Sequence, residues 1–335
     1  MSKVLKRLQV ENYSGLNLDS HRTIDVIRKC SFKIRDVAIG GDAPKDVIQV
    51  YQYNGIIRKQ SPKTWPVYIA KIGQKWYPNE SITEQLITEI GKEIGVKIAE
   101  SGLFFIEGVI RFCSKHFHSH EQLLSHGAEI LSSFKEEPND EWIEELERKN
   151  KIRESIDIED IIKAIKAIFP NNYKAILNDF YEMLLFDCLV GNNDRHYYNW
   201  GVITHIMGQH EPYFSPIYDT ARGLWWNSSD NFIVSLSQDK NKRQSRLKKY
   251  VNNSKPKISI PGNSKCHHFD LIHYLVNQNY LTNTQKEAWS NNTYLANIYE
   301  VVENKFCNII IPERLFLIKE SLSFRFSELS KVLNQ

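Results

Sequence analysis

Asp187-Cys188-Leu189-Val190-Gly191-Asn192-Asn193-Asp194-Arg195-His196-Tyr197-Tyr198-Asn199 is the stretch on which the fold reading turns. It succeeds an apolar run in which Ile176, Phe180, Leu184 and Cys188 recur four apart, the spacing of one helix face. Gly191 stands where a helix C-cap belongs, because a residue without Cβ enters the left-handed region at little cost. The chain should therefore turn there. Residues 192–199 are rich in Asn, Asp, Arg and His, a composition that reads as a polar loop outside the core. Trp200-Gly201-Val202-Ile203 then reads as a strand. A helix delivering a carboxylate and a carboxamide on a short loop ahead of a strand is a catalytic-loop arrangement.

Asp194 precedes Asn199 by five positions, the separation of the catalytic Asp and the metal-binding Asn in the protein-kinase loop. Here, however, Arg195 and His196 come after the Asp instead of preceding it. The string Asn192 to Asn199 resembles the Asn-x-Asp-x-His-x-x-Asn loop of the HipA-like kinases. Pro216-Ile217-Tyr218-Asp219-Thr220-Ala221-Arg222-Gly223-Leu224 resembles the metal-binding segment next in order in that family. The likeness is strong over residues 180–225 and weaker but collinear over residues 38–275; it extends to no motif near either end of the chain. It implies an α+β, two-lobed, protein-kinase-like fold. A small β-rich N-lobe with one main helix would occupy residues 1–117, and a larger, mostly helical C-lobe residues 118–335. It also implies ATP- and Mg2+-dependent transfer of a γ-phosphate to a Ser or Thr hydroxyl of a protein. In that scheme Asp194 accepts the proton from the attacking hydroxyl or orients it. Asn199 and Asp219 hold one or two Mg2+ ions as hard oxygen ligands. Arg195 or His196 braces the loop or a phosphate. Asp187 is read as structural, bonding loop amides from the helix end.

Upstream residues complete the pattern. Val37 to Tyr53 reads as strand, glycine turn, strand. Gly40 and Gly41 permit close backbone approach, so amides could face phosphate oxygens in a turn that ends at Lys45. The family has a comparable small-x-x-Pro-Lys turn, although an ordinary hairpin would look similar. Some HipA-like kinases carry a regulatory Ser in this loop, and Gly40 and Gly41 leave no equivalent. Val67-Tyr68-Ile69-Ala70-Lys71 is a half-buried strand ending in a lysine, which has little reason to face inward unless it meets an anion. An edge-strand lysine in water is the plainer alternative. In a kinase lobe such a lysine contacts the α/β-phosphates and pairs with a helix glutamate. Ser81-Ile82-Thr83-Glu84 reads as a capping box opening the next helix, with Glu84 reaching back to the Ser81 amide. The resemblance makes Glu84 the Lys71 partner instead, with Glu89, on a different face, as the other candidate. Ile87, Ile90 and Ile94 continue an apolar stripe until Gly95 ends the helix. Leu103 to Ile106 and Val109 to Ser114 read as strands joined at Glu107-Gly108. The second leads to an interlobe hinge at Lys115, His116 and Phe117, where an adenine ring would take backbone hydrogen bonds.

The remainder is less specific. Residues 1–22 are a strand plus loop or an arm packed on the first domain, and Thr23 to Ile27 and Ser31 to Arg35 are strands or a short helix. Glu121 to Phe134 is expected to be helical, and charged Lys135 to Ile156 a solvated helix. Asp157 should cap a helix running to Phe169. Tyr213 to Ile217 is a short strand aimed at Asp219. Asp230 to Ser237 is a strand or turn. Residues 240–257 hold Lys240, Lys242, Arg243, Arg246, Lys248, Lys249, Lys255 and Lys257 against no acid. They are a basic rim for an acidic substrate or nucleic acid, or else a solvated mobile loop. Helices close the chain, with Pro312 at a first turn. His116, His118 and His120 alternate without carboxylates or cysteines nearby and read as loop residues, not a metal site. Cys266 beside His267 and His268 lacks further ligands.

Composition bounds the function. The 335 residues are 41% hydrophobic and 25% charged, as in an ordinary globular protein. A net charge of +3 is too small for nucleic-acid binding over the whole surface, and specific nucleic-acid recognition by this chain alone is not expected. Cys30, Cys113, Cys188, Cys266 and Cys307 are scattered, which suits free, buried thiols in a reducing compartment. No apolar run approaches the ~20 residues of a membrane span. The basic N-terminus lacks the apolar stretch of a signal peptide. A bacterial cytosolic location is expected, with a secreted effector as the alternative. Relatives of the toxin–antitoxin kind imply a small helix-turn-helix partner. The rival readings are a lipid or small-molecule kinase on the same fold, and a silent nucleotide-binding scaffold or binding module.

Overall fold

The computed structural model describes residues 10–18, 23–37, 44–52 and 55–335. A first sheet contains β1 (Asp25–Val26), β2 (Phe32–Arg35), β3 (Lys45–Val50) and β4 (Val67–Lys71). Helix α1 (Asn79–Glu93) comes next, and β5 (Ser101–Ile106) and β6 (Val109–Lys115) complete the sheet. The strand order is β1-β5-β6-β4-β3-β2. β1 runs parallel to β5, and the other neighbours are antiparallel. The strands form because β-branched and aromatic residues alternate, burying one set per face. Ile48, Val50, Tyr68, Ala70, Phe104 and Cys113 pack together on one face. Ile110 belongs with Ile82, Leu86 and Ile90 of α1 on the other. In β4, Tyr68 and Ala70 are buried while Lys71, at the strand end, is half-buried on the α1 side.

The larger lobe begins with β7 (Gln122–His126) and then becomes mostly helical: α2 (Gly127–Phe134), α3 (Glu141–Arg148), α4 (Ile152–Ser155), α5 (Ile158–Ile168) and α6 (Tyr173–Val190). β8 (Gly201–His205) and β9 (Tyr213–Phe214) join β7 in a small antiparallel sheet. The chain ends in α7 (Asp230–Ser237), α8 (Lys240–Asn253), α9 (His268–Asn277), α10 (Asn283–Trp289), α11 (Asn292–Phe306) and α12 (Pro312–Leu333). α6 is the centre of this lobe. Its residues from Met183 to Val190 are all buried and, Asp187 apart, apolar, so it takes neighbours on every side: α5, α9, α12 and β9. Among the described residues, no helix is long and apolar enough to cross a membrane.

Several local expectations change in the folded chain. Glu121 to Phe134 is not one helix: residues 122–126 pair with β8, and only residues 127–134 coil. Lys135 to Ile156 divides into α3 and α4, because Asn150 takes a positive φ of 54° and Ile143 and Ile152 turn inward. Asp230 to Ser237 is helical because the Ser229 hydroxyl accepts the Phe232 amide, and Ile233 and Leu236 share an inward side. The basic run is no loop. Asp239 caps α8 by accepting the Lys242 amide, and Leu247 and Val251, four apart, anchor it. Asp157 does cap α5, accepting the amides of Glu159 and Asp160. Cys30 and Cys307 are exposed, so only Cys113, Cys188 and Cys266 are buried thiols. The turn bearing Gly40 and Gly41 lies outside the described residues.

α6 stops at Gly191, which adopts φ 69° and ψ 36°. A Cβ there would lie 2.7 Å from the Arg325 guanidinium carbon. Backbone strain and a clash with a buried cation therefore act together. Gly191→Ala should lower unfolding free energy by about 1–3 kcal/mol, measured by urea denaturation. An unchanged midpoint would show that this turn tolerates a side chain.

Candidate active site

The loop after α6 is held by one buried cation. Asp187, in the last turn of α6, accepts Arg195 Nε at 2.8 Å and Nη2 at 2.9 Å, and the Asn192 carboxamide at 2.9 Å. The two-pronged geometry suits the planar guanidinium. Arg195 Nη1 donates to the carbonyl of Asn199 at 2.7 Å and to that of Tyr218 at 2.6 Å. One side chain thereby ties the helix end, the loop and the residue before Asp219 together. Burial works against the Arg195 charge, but Asp187 more than offsets it and keeps the pKa above its ordinary value. Asp187 thus binds side chains here, not the loop amides expected of it. Nor is the loop outside the core, since Asn192, Arg195, Tyr197 and Asn199 are buried. A polar stretch can enter the interior when its members satisfy one another.

On this frame the candidate residues converge. Lys71 Nζ lies 2.9 Å from Glu84 Oε1 and 3.0 Å from Asp219 Oδ1, joining sheet, α1 and the far lobe. The β3–β4 register sets Lys45 directly opposite Lys71, and Lys45 also acts on the charge of Asp219. Glu84 makes no capping box. α1 starts earlier, at Asn79, whose carboxamide donates to the carbonyls of Tyr13 and Ser228. Ser81 instead accepts the Gly73 amide at 3.1 Å. Glu89 lies on another side, bonded to Lys92 and Lys305. Burial raises the Glu84 carboxyl against the pull of Lys71. Burial also opposes the Lys71 charge, yet Asp219 and Glu84 outweigh it and raise the ammonium pKa. Burial likewise opposes ionisation of Asp219, but Lys71 and Lys45 bring its pKa down to about 2.

Asp194 projects from the loop with its carboxylate 3.1 Å from Arg222 Nε. Burial raises its pKa, and Arg222 and Lys257 act against that. Asn199 donates its Nδ2 to the Asp194 carbonyl at 2.9 Å. Its Oδ1 takes no hydrogen bond among the described residues, and Arg195 Nη1 ties the Asn199 carbonyl to that of Tyr218, the residue before Asp219. Burial lowers His196 to about 4, and its Nδ1 accepts the Tyr198 amide at 3.3 Å. It is a neutral ring that shapes the loop, so the bracing falls to Arg195. Past β6, the His116 amide donates to the Val67 carbonyl, and the Phe117 ring sits 5.4 Å from that of Tyr218. The Lys115 side chain points outward to Glu100 at 2.6 Å.

A carboxylate and a carboxamide oxygen are donor types that suit a hard divalent cation. Among the described residues, no group of three His, Cys, Asp or Glu side chains could hold an ion by itself. Residues Arg222 and Lys257 join this site without having been singled out from the sequence. Arg222 had a positional signal, three residues past Asp219; Lys257 had none beyond its basic run. A groove of about 700 Å3 between α8, α11 and α12 shares no residue with the site.

The chain is similar to known proteins at several levels. The family described as HipA-like C-terminal domain matches residues 37–276. The serine/threonine-protein kinase CtkA of Helicobacter pylori strain J99 is 25% identical over 154 residues. Those residues are 46% of this chain and 43% of that protein, so the chain spans under half the length of this curated relative. The crystal structure of a Helicobacter pylori proinflammatory kinase CtkA aligns with a TM-score of 0.65 and 18% identity, over 90% of this chain and 94% of that one. A chain from the Shewanella oneidensis toxin–antitoxin complex of HipA, HipB and operator DNA aligns at a TM-score of 0.39 and 10% identity, over 89% of this chain and 64% of that one.

Removing one member of a buried ion pair strands the other. Asp187→Ala should cost about 3–5 kcal/mol of stability, whereas Asp187→Leu with Arg195→Met should recover much of it. Denaturant melts of the single and double variants check this. Equal losses for both would mean that the pair's charge is not what makes the site costly to break.

Proposed function

Because the chain belongs to the HipA-like C-terminal domain family, we propose that it is a kinase that moves the γ-phosphate of ATP, with Mg2+, to a Ser or Thr hydroxyl of a protein. The observation that carries this reading is the contact of Lys71 with both Glu84 and Asp219, 2.9 and 3.0 Å away. A buried ammonium held between carboxylates from two lobes is preorganised for an anionic ligand lying between them. Phosphoryl transfer asks mainly for positioning and charge neutralisation.

Lys71 would take the α- and β-phosphate oxygens, held in place by Glu84, with Lys45 opposite it in the sheet. Gly40 and Gly41 would cover the phosphates through their amides. Sequence order puts an adenine contact at Lys115, His116 and Phe117, but the Lys115 and His116 amides already donate to the carbonyls of Glu100 and Val67, so the backbone of Phe117 would take the adenine edge. Asn199 and Asp219 would hold Mg2+, which when bound neutralises phosphate charge. Asp194 would orient the acceptor hydroxyl and receive its proton. Arg195 holds this frame through the carbonyls of Asn199 and Tyr218. Family membership supports a finer proposal, a small partner protein of the antitoxin kind.

Incubation with labelled ATP and Mg2+ should label a protein acceptor. Asp194→Ala and Asp219→Ala should each lower the rate by about 100-fold or more. Asp194→Ala should still bind nucleotide, whereas Lys71→Met should bind it more weakly. Wild-type protein that binds ATP and transfers nothing would make this chain a silent scaffold. Label on lipid alone would move the acceptor class.

A further inference from the structure

One run of chain leads from the surface to the candidate carboxylate. α8 carries six basic residues and no acid, while the whole chain carries only +3, so the remainder is net acidic. Lys240, Lys242, Arg246, Lys248 and Lys249 of α8 face solvent, and so does Lys255 just beyond. Arg243, turned inward, pairs with Glu320 at 3.0 Å. The six exposed cations enter no ion pair among the described residues. Some exposed helix lysines elsewhere are paired, as Lys149 with Glu145 and Lys331 with Glu328, and others, as Lys163 and Lys166, are not. Among the described helices, only α8 gathers six basic residues with no acid. On α8, Lys242, Arg246 and Lys249 stand four and three apart and repel one another.

This helix is coupled to the site by its far end. The Ser254 hydroxyl donates to the Gly191 carbonyl at 3.2 Å. Ser259 donates to the Ile156 carbonyl at 3.0 Å, and its own carbonyl accepts the Ile158 amide. The segment pinned between them passes the catalytic loop. There the half-buried Lys257 acts on the charges of both Asp194 and His196. Arg222, 3.1 Å from Asp194, adds a further cation.

We infer that α8 and residues 254–259 form a docking face for an acidic protein segment, guiding a Ser or Thr flanked by Asp or Glu to Asp194. The second half of this rests on the kinase reading; the binding face does not. Unpaired like charge beside a site concentrates and orients an oppositely charged partner. A protein segment fits better than nucleic acid. Tyr250, the aromatic within α8, is stacked on Trp225 at 3.9 Å and bonded to its amide, so no base can stack there. The groove of about 700 Å3 beside α8, lined by Leu247, Tyr299, Phe316 and Phe324, offers apolar side chains a place next to the charges.

The test is fluorescence anisotropy of the full chain with two labelled serine peptides, one flanked by glutamates and one by lysines. The acidic peptide should bind about tenfold tighter or more, and less so as salt rises. The variant carrying Lys248→Glu, Lys249→Glu and Lys255→Glu should lose that preference while keeping wild-type nucleotide affinity, which reports an intact fold. Equal binding of the two peptides, or an unchanged preference in the variant, would overturn the docking face. So would displacement of the peptide by a single-stranded oligonucleotide far below the peptide's own concentration. Transfer is read separately. A peptide that docks with this preference but is never phosphorylated sinks the kinase reading and leaves the docking face standing.

Discussion

The buried guanidinium of Arg195 is the constraint on which the rest of the site depends. Its contacts with Asp187 confer little net stability over an apolar pair, because both charges leave water. What they supply is geometry. One planar group with fixed donors spans Asp187, Asn199 and Tyr218, so α6, the loop and the segment of Asp219 have one relative placement. A second buried cation backs the first. Arg325 of α12 donates to the Cys188 carbonyl at 2.8 Å and to the Val251 carbonyl at 3.4 Å. Those carbonyls sit near the ends of α6 and α8, where a helix leaves acceptors without partners.

The same logic crosses the cleft. Lys71 is buried enough that its charge is costly alone, and two carboxylates from different elements resolve that cost. Their attraction draws α1 towards β4 and towards Asp219. On another flank, the chain at Tyr13 to Gly15 links the lobes. Tyr13 bonds the Tyr77 carbonyl and accepts the Asp230 amide, and the Gly15 amide donates to Asp230 Oδ2 at 2.7 Å. Arg314 holds Asp230 in turn at 2.6 Å. Of the two expectations for these residues, a strand plus loop or an arm packed on the first domain, the described part is an arm, and it reaches both lobes.

Much of this could be read before folding. The helix into Gly191, the strand Val67–Lys71, the hairpin over Glu107-Gly108 and the cap at Asp157 all arise from periodicity and turn chemistry within a few residues. The pairing of Glu84 with Lys71 came from the family likeness against a competing local signal, the Ser81 capping box, and the tertiary contact won. Asp230 to Ser237, expected as a strand or turn, and the loop alternative for the basic run both give way to helices that local sequence marks weakly, because few apolar residues anchor them. Leu247 and Val251 suffice to seat α8 once α7 and α12 are there to receive them.

By itself the chain's order of residues determined which side chains would be offered: Lys71, Asp194, Asn199 and Asp219 at their spacings, and a turn that only a glycine takes easily. Only the tertiary structure decided what each would meet. Arg195 faces Asp187, burial lowers the pKa of His196, Arg222 comes to stand beside Asp194, and Lys257 comes close enough to act on its charge. The physical reason is range. Caps and hydrophobic periods act over a turn or two and leave a local mark, whereas desolvation and charge pairing depend on what the fold brings alongside, over spans from eight positions for Asp187 and Arg195 to well over a hundred for Lys71 and Asp219.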